Sequence, residues 1–364
     1  MKCCPNCFED FFLKEFIEDS GENSDCDYCG STNVKCVEAH DLENLFQPLA
    51  NLYTPVEYFM PNELLKEFDG ETFWEKVNLI WEVFSEASLD KSEQLLSDIF
   101  ELQGDKTGPP QFLSSQVEDE LEFWSSDEHV TRKLINRWSE FENELKNVNR
   151  FFPQKKINPN ELIVIFQNLE KLLVKETKFY RARNSHKVGK FAPSNMGKPS
   201  ADNTKNGRAN PVGIAYLYLA SDVKTAIEEI RPSVKDKVTV GDFIIKEDLR
   251  LVDLTRISPF QFYQAEEPEK LIRDIGFLYK LREDLSLAIN PKDAELEYLP
   301  TQYLCELIKY GGWDGVIYDS SLSDGYNIVL FNDKQVECTG SKLYEVLKAE
   351  YQFIEAIKDD ENLA

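Results

Sequence analysis

From Asp41 to Val174 apolar residues recur three and four positions apart, in "ELLKEF", "WEKVNLIWEVFSEA", "KSEQLLSDIFEL", "VTRKLINRWSEFENELKNV" and "ELIVIFQNLEKLLVKE". That period predicts amphipathic helices, with loops at "QGDKTGPP" and "FFPQKKINPN". The stripe Trp74, Val77, Ile80 and Trp81 reads as core. After Val174 the texture changes to short Val/Ile/Tyr/Phe runs, "KFYRAR", "IAYLYLA", "VTVGDFII", "LRLVDLT", "WDGVIYDSS" and "YNIVLFN". Helical segments, "SDVKTAIEEIRP" and "LPTQYLCELIKYGG", interrupt them. Strands interleaved with helices predict an α/β or α+β domain. The expected organisation is a cysteine-rich segment at 1–40, a helical domain at 41–174 and a mixed domain at 175–340. A terminal helix, "KLYEVLKAEYQFIEAIK", is expected within 341–364.

A chain of 364 residues with 42% hydrophobic residues can bury a sizeable core and suggests more than one domain. No apolar run is long enough to span a bilayer, and "MKCCPNCFED" lacks the apolar core of a signal peptide, so a soluble cytoplasmic protein is expected. The formal charge of −25 argues against general nucleic-acid binding. The charge is uneven, however: Lys146 to Asn210 holds fourteen Lys/Arg against four Asp/Glu. A basic stretch in an acidic protein suits one compact anionic ligand. For Lys171, Lys175 and Lys178 the plainer reading is a solvated face.

Five of the eight cysteines precede Gly30. Cys4-Pro-Asn-Cys7 and Cys26-Asp-Tyr-Cys29 have the spacing of a zinc site in which two knuckles present four thiolates to a tetrahedral Zn²⁺. Disulfides are the alternative, disfavoured in a reducing compartment. Cys3 competes with Cys4, and Cys36 or His40 could substitute. Four thiolates leave no position for water, so the metal is expected to be structural. Cys305 and Cys338 read as small buried hydrophobes.

In "GRANPVGIAYLYLASDVKTAIEEIRP", "IAYLYLA" reads as a strand and Ser221 as the N-cap of the next helix. Val223, Ala226, Ile227 and Ile230 define that helix's buried stripe, and Glu229 lies nearer to it than Glu228. Periodicity alone leaves either glutamate as an ordinary exposed residue.

The blocks "FYRAR", "GRANPVGIAYLYLASDVKTAIEE", "LPTQYLCELIK" and "DGVIYDSSLSDGYNIVLF", in this order, resemble the RES domain. The resemblance implies an ADP-ribosyltransferase-like fold and an enzyme that degrades NAD⁺ as a toxin, by hydrolysis or phosphorolysis. Carried over, the family's arginine falls on Arg181, its tyrosine on Tyr218, its glutamate on Glu229 and its serine on Ser320, with Ser321 the fallback. Arg208 and Asn210, in "NGRAN", become ligand contacts, and Gln302 reads either as a pocket-lining residue or as a helix cap. The tryptophan of the fuller family motif "GGRWN" is missing here.

A guanidinium suits the NAD⁺ pyrophosphate, and a carboxylate suits an oxocarbenium-like transition state. The cysteine-headed helical part resembles the HEPN-like domain that precedes certain toxin-type enzyme domains. It lacks the Arg-then-His helix pair of HEPN nucleases, since His129 precedes Arg132 and Arg137, so no ribonuclease activity is expected. His186 reads as exposed. The overall expectation is an α+β protein: a zinc knuckle and helical domain, then a RES domain cleaving the nicotinamide–ribose bond as a toxin or anti-phage effector. An antitoxin or other regulatory partner and a homo-oligomer are also expected. ADP-ribosyl transfer to a macromolecule, or a weakly active NAD-binding or recruiting module, are the alternatives.

Overall fold

The computed structural model describes residues 1–66, 68–100, 115–118, 133–185, 189–287, 289 and 292–349. His129 and His186 lie outside them. The chain divides into two compact units. One comprises Met1–Glu170, Asp253–Asp284 and Leu299–Thr301; the other comprises Lys171–Val252, Leu285–Tyr298 and the residues from Gln302 onward.

The first unit opens with a small antiparallel sheet, in which β1 (Lys2–Cys3) and β2 (Glu22–Ser24) flank β3 (Val34–Glu38), and further along the chain β4 (Thr54–Pro55) pairs with β5 (Val117–Glu118). Helix α1 (Phe11–Ser20) starts where Asp10 accepts hydrogen bonds from the amides of Phe12 and Leu13, which meets two of the donors a helix N-terminus leaves open. Helices α2 (Glu43–Ala50), α3 (Phe73–Leu79), α4 (Ser92–Ile99), α5 (Lys133–Asn147) and α6 (Pro159–Gln167) follow. Thr72 and Glu75 form a reciprocal capping box on α3. The predicted stripe is only partly core: Val77 is buried, Trp74 and Trp81 are half-buried, and Ile80 is 54% exposed. Helix α3 stops at Leu79, so the helical period no longer holds for the residues beyond it.

The second unit is built on an eight-stranded sheet of order β13-β9-β7-β8-β12-β11-β10-β6. The strands are β6 (Glu170–Leu173), β7 (Lys178–Asn184), β8 (Leu217–Ala220), β9 (Lys237–Ile245), β10 (Leu249–Asp253), β11 (Gly315–Asp319), β12 (Tyr326–Leu330) and β13 (Val336–Glu345). Helix α7 (Val223–Glu229) belongs to this unit, α8 (Ile275–Ser286) belongs through Asp284 to the first unit, and α9 (Leu299–Tyr310) belongs from Gln302 onward to this one. One sheet face buries Phe179, Leu217, Leu219, Ile317, Ile328 and Leu330. On the other, α7 lays Ala226 against Ala182, Ala220, Val238 and Val240, with Val223, Ile227 and Ile230 at its margin. Each fully buried aliphatic side chain stabilises this arrangement by about 1.5–3 kcal/mol.

Three expectations are corrected. "EKLL" (170–173) is strand β6, because the helix before it ends at Asn168 and pairing beside β10 overrides its helix propensity. Lys342–Glu345 do not begin a helix: they pair with Val240–Lys237 of β9, which supplies backbone partners a new helix would have to forgo. Residues 350–358 of that expected helix lie outside the described residues. The N-cap of α7 is Asp222, not Ser221; its carboxylate accepts from the Thr225 amide at 2.9 Å, while Ser221 donates to Asp222.

Within the first unit, burial first, then Asp284 on α8, pushes the Glu142 carboxyl up to about 7; Lys280 and Lys146 oppose the rise. Trp138 Nε1 donates to Asp284 at 3.3 Å, and Lys280 pairs with the same carboxylate. A carboxyl raised in the folded state gives stability that is complete below its unfolded value near about 4.3 and is lost as pH rises through about 7. Glu142→Gln is therefore expected to be more stable than the wild type at pH 8, by about 1 kcal/mol after solvent screening. Its urea midpoint should also depend less on pH between those values. Equal pH dependence of the two proteins would refute this assignment.

Candidate functional site

In the second unit β7 and β8 pair at one position only, Tyr180 with Ala220. The carbonyl of Tyr218 is thereby left off the ladder, and Arg181 Nη1 donates to it at 3.0 Å. At this split lies a cleft of about 270 Å³. Arg181, Tyr218, Glu229, Tyr180, Tyr318 and Asn327 line it.

Glu229, at the last position of α7, faces the strands. Ser320 Oγ donates to its Oε1 at 2.6 Å and Asn327 Nδ2 donates to the same oxygen at 2.7 Å. Two donors on one oxygen orient the carboxylate and leave Oε2 for a ligand. Glu228, next to it, is not part of the lining. Ser320 is held in turn: its amide donates to the Gly325 carbonyl at 3.0 Å, and its Oγ accepts from the Leu322 amide at 3.2 Å. A Cβ at Gly325 would fall 2.2 Å from Thr225 Oγ1 and 2.6 Å from Asp222 Oδ2, so this loop can close onto the start of α7 only with glycine. Ser321, the fallback serine, is exposed.

Arg181 is half-buried as a residue, but its Nε is out of solvent and has no hydrogen-bond partner among the described residues. An unmet buried donor costs about 1–3 kcal/mol. Burial, then the neighbouring Arg183, lowers its pKa to about 10, so the guanidinium stays charged at neutral pH. A fixed cation with an unused N–H is a ready partner for an anionic ligand.

The remaining sequence-derived contacts lie behind this cleft. Tyr218 Oη donates to Asn210 Oδ1 at 2.6 Å and accepts from the Ala209 amide at 3.1 Å; burial pushes its pKa up, so it stays a neutral donor. Asn210 spends its own amide on the carbonyls of Lys205 and Pro211. Gln302, on α9, donates to Asn206 Oδ1 and to the carbonyls of Gly207 and Asn210 at 2.8, 2.8 and 3.1 Å. Arg208 donates to the Leu285 carbonyl and lies 5.9 Å from the ring centres of both Tyr298 and Tyr318. None of Arg208, Asn210 and Gln302 lines the cleft. They build the turn that props Tyr218 in place. A Cβ at Gly207 would meet Tyr218 Oη at 2.6 Å, so that turn also depends on glycine.

Sequence reasoning missed Asn327, Tyr180 and Tyr318 as lining residues. Asn327 left a signal: a buried polar residue within the apolar strand "YNIVLF" needs a partner, and that partner is Glu229.

In the first unit Cys4, Cys7, Cys26 and Cys29 bring their four sulfurs within 4.8 Å of one another. Cys4 and Cys29 stand 3.4 Å apart and Cys7 and Cys26 3.3 Å, with no disulfide. Four thiolates on a tetrahedral Zn²⁺ at about 2.3 Å would lie about 3.8 Å apart, so a small contraction and expansion of this cluster fits the ion. Backbone amides of Tyr28 and Cys29 point at the Cys26 sulfur. Cys36 Sγ instead donates to the Ser24 carbonyl, and His40 sits beside Asp41 on the surface. The knuckles are fastened to the helical part: Ser88 Oγ donates to the Cys7 carbonyl at 2.6 Å, Lys91 to that of Asp27 at 2.7 Å, and Tyr28 to Asp98 at 2.6 Å.

A helical unit with a four-cysteine head, followed by a mixed sheet split around an arginine and a glutamate, defines an α+β protein of two-part design. Residues 178–349 match the RES domain and residues 19–159 match the HEPN/RES N-terminal domain 1, so this is a RES-domain protein with a HEPN/RES N-terminal domain. No curated protein matches the sequence. Among solved structures, the M. tuberculosis MbcT-MbcA toxin-antitoxin complex is similar at 12% identity, covering 52% of this chain and 94% of that one, with a TM-score of 0.31. Among the described residues no helix is long and apolar enough to cross a membrane.

Proposed function

We propose that the RES domain cleaves the nicotinamide–ribose bond of NAD⁺ and that the protein acts as a toxin by draining that cofactor. The observation that supports this most is Glu229, oriented by Ser320 and Asn327 in a cleft that also holds the charged, incompletely partnered Arg181. In this reading Arg181 takes the pyrophosphate. As the bond between the ribose C1′ and the nicotinamide nitrogen breaks, its electron pair leaves with neutral nicotinamide and positive charge grows on the ribose. The Glu229 carboxylate stabilises that charge. An acceptor oxygen, from water or inorganic phosphate, then bonds to C1′ and releases any proton it carries to solvent. Tyr218 packs against the nicotinamide-ribose end, and Ser320 serves by holding Glu229. The four-cysteine cluster carries structural zinc, which takes no part in this chemistry. A toxin of this type implies restraint by an antitoxin or other regulatory protein.

The test is nicotinamide release from NAD⁺ by the full chain, with and without inorganic phosphate. ADP-ribose as co-product identifies hydrolysis, and its phosphorylated counterpart identifies phosphorolysis. Label transferred to a macromolecule would replace this reading with ADP-ribosyl transfer, and NAD⁺ bound but left intact would reject catalysis.

A further inference from the structure

The helical unit carries two surface features that its fold does not use. The first is the loop after α5. Phe151 and Phe152 are 84% and 78% exposed, and Val148 before them 74%. This loop is braced. The buried Glu144 carboxylate accepts from the amides of Gln154 and Lys155, Asn149 Oδ1 accepts from the Phe152 amide, and Arg150 Nε donates to the Leu145 carbonyl. Two aromatic rings held out by a preorganised backbone lose little entropy on docking, and exposed aromatics beside cations have the composition of interface anchors. Arg150 and Lys156 flank them, while Lys155 is paired with Glu140 at 3.0 Å.

The second feature is a groove of about 1140 Å³ in the same unit. Its floor is Phe8 and Phe84, with ring centres 5.7 Å apart, and its walls are Leu79 and Leu89, both exposed. Glu82 and Glu86 stand at its rim, and the lysine that lines it, Lys14, is already paired with Glu9 at 3.3 Å. An apolar floor under carboxylates that form no ion pair among the described residues is the chemical complement of two phenylalanines flanked by cations.

We propose that two copies of this chain associate through their helical units, the Phe151–Phe152 loop of each seated in the Phe8/Phe84 groove of the other. Because each copy offers one loop and one groove, a reciprocal exchange closes at two copies and leaves neither feature open. The contact does not involve the RES cleft, so it stands or falls independently of the proposed activity.

Sedimentation equilibrium of the full chain tests this with two variants, Phe151→Ser/Phe152→Ser in the loop and Glu82→Lys/Glu86→Lys in the groove, each checked for folding by circular dichroism. The wild type is expected at twice the chain mass at micromolar concentration, with each variant at half that mass and at least tenfold weaker in self-association. An equimolar mixture of the two variants retains one intact loop-groove contact and should associate where neither does alone. A monomeric wild type, a dimer that survives either pair of substitutions, or a mixture that stays monomeric would each overturn the proposal.

Discussion

Replacing Glu229 with glutamine is expected to lower the kcat of NAD⁺ cleavage about 10³-fold, equivalent to about 4 kcal/mol of transition-state stabilisation, while KM changes little. The substitution is unusually clean in this geometry. Ser320 and Asn327 both donate to one oxygen of Glu229, and the glutamine carbonyl can accept the same two bonds, so orientation survives while the charge is lost. Asn327→Ala supplies the contrast. It keeps the carboxylate but removes one of its two anchors, and about a tenfold fall in kcat is expected from a looser Glu229. Nicotinamide release under saturating NAD⁺ measures both. If Glu229→Gln retained wild-type turnover, the carboxylate would have no part in the chemistry.

Metal removal should have the largest effect on stability. One zinc per chain is expected by atomic emission, and Cys26→Ser should lose it, because a three-thiolate site with one hydroxyl binds Zn²⁺ far more weakly. Binding free energy at such sites, on the order of 10 kcal/mol, is also folding free energy. With an ion bound, it would reach the helical part through the bonds from Ser88, Lys91 and Tyr28 that join the knuckles to α4 and the loop before it. Cys26→Ser, or the wild type with a strong chelator, should therefore lose cooperative thermal unfolding of the helical unit. Cys36→Ser, whose sulfur bonds a carbonyl instead, should keep both metal and transition. A chelated protein with an unchanged transition would show that the cluster holds no stabilising ion.

What the sequence disclosed, and where it fell short, follows from the range of the forces involved. Strands β7, β9, β11 and β12 were legible because runs such as "VTVGDFII" combine β-branched residues with turns at each end, a local signal. The cysteine knuckles were legible because the chemistry fixes both residue type and spacing. "EKLL" and "KLYE" were misread because their propensity is helical while pairing with a distant strand decided their fate. The same distance limits the site. Glu229 meets Ser320 and Asn327 across more than ninety positions of chain, and no periodicity within α7 could reveal that contact. Arg208 and Asn210 entered as ligand contacts through the resemblance alone; their hydrogen bonds, and those of Gln302, within and onto the turn before β8 are visible only in the folded chain.

The interleaving of the two units bears on how the protein is born. The helical unit takes in Asp253–Asp284 and Leu299–Thr301, so a ribosome must translate most of the RES region before that unit has all of its parts. Ser320 and Asn327, which orient Glu229, emerge later still. At about 5–20 residues per second, a nascent chain would spend seconds with every element of its helical unit synthesised and its cleft unfinished. Under the proposed activity, a partner recognising the helical unit could engage during translation, before the chain can harm the cell that makes it.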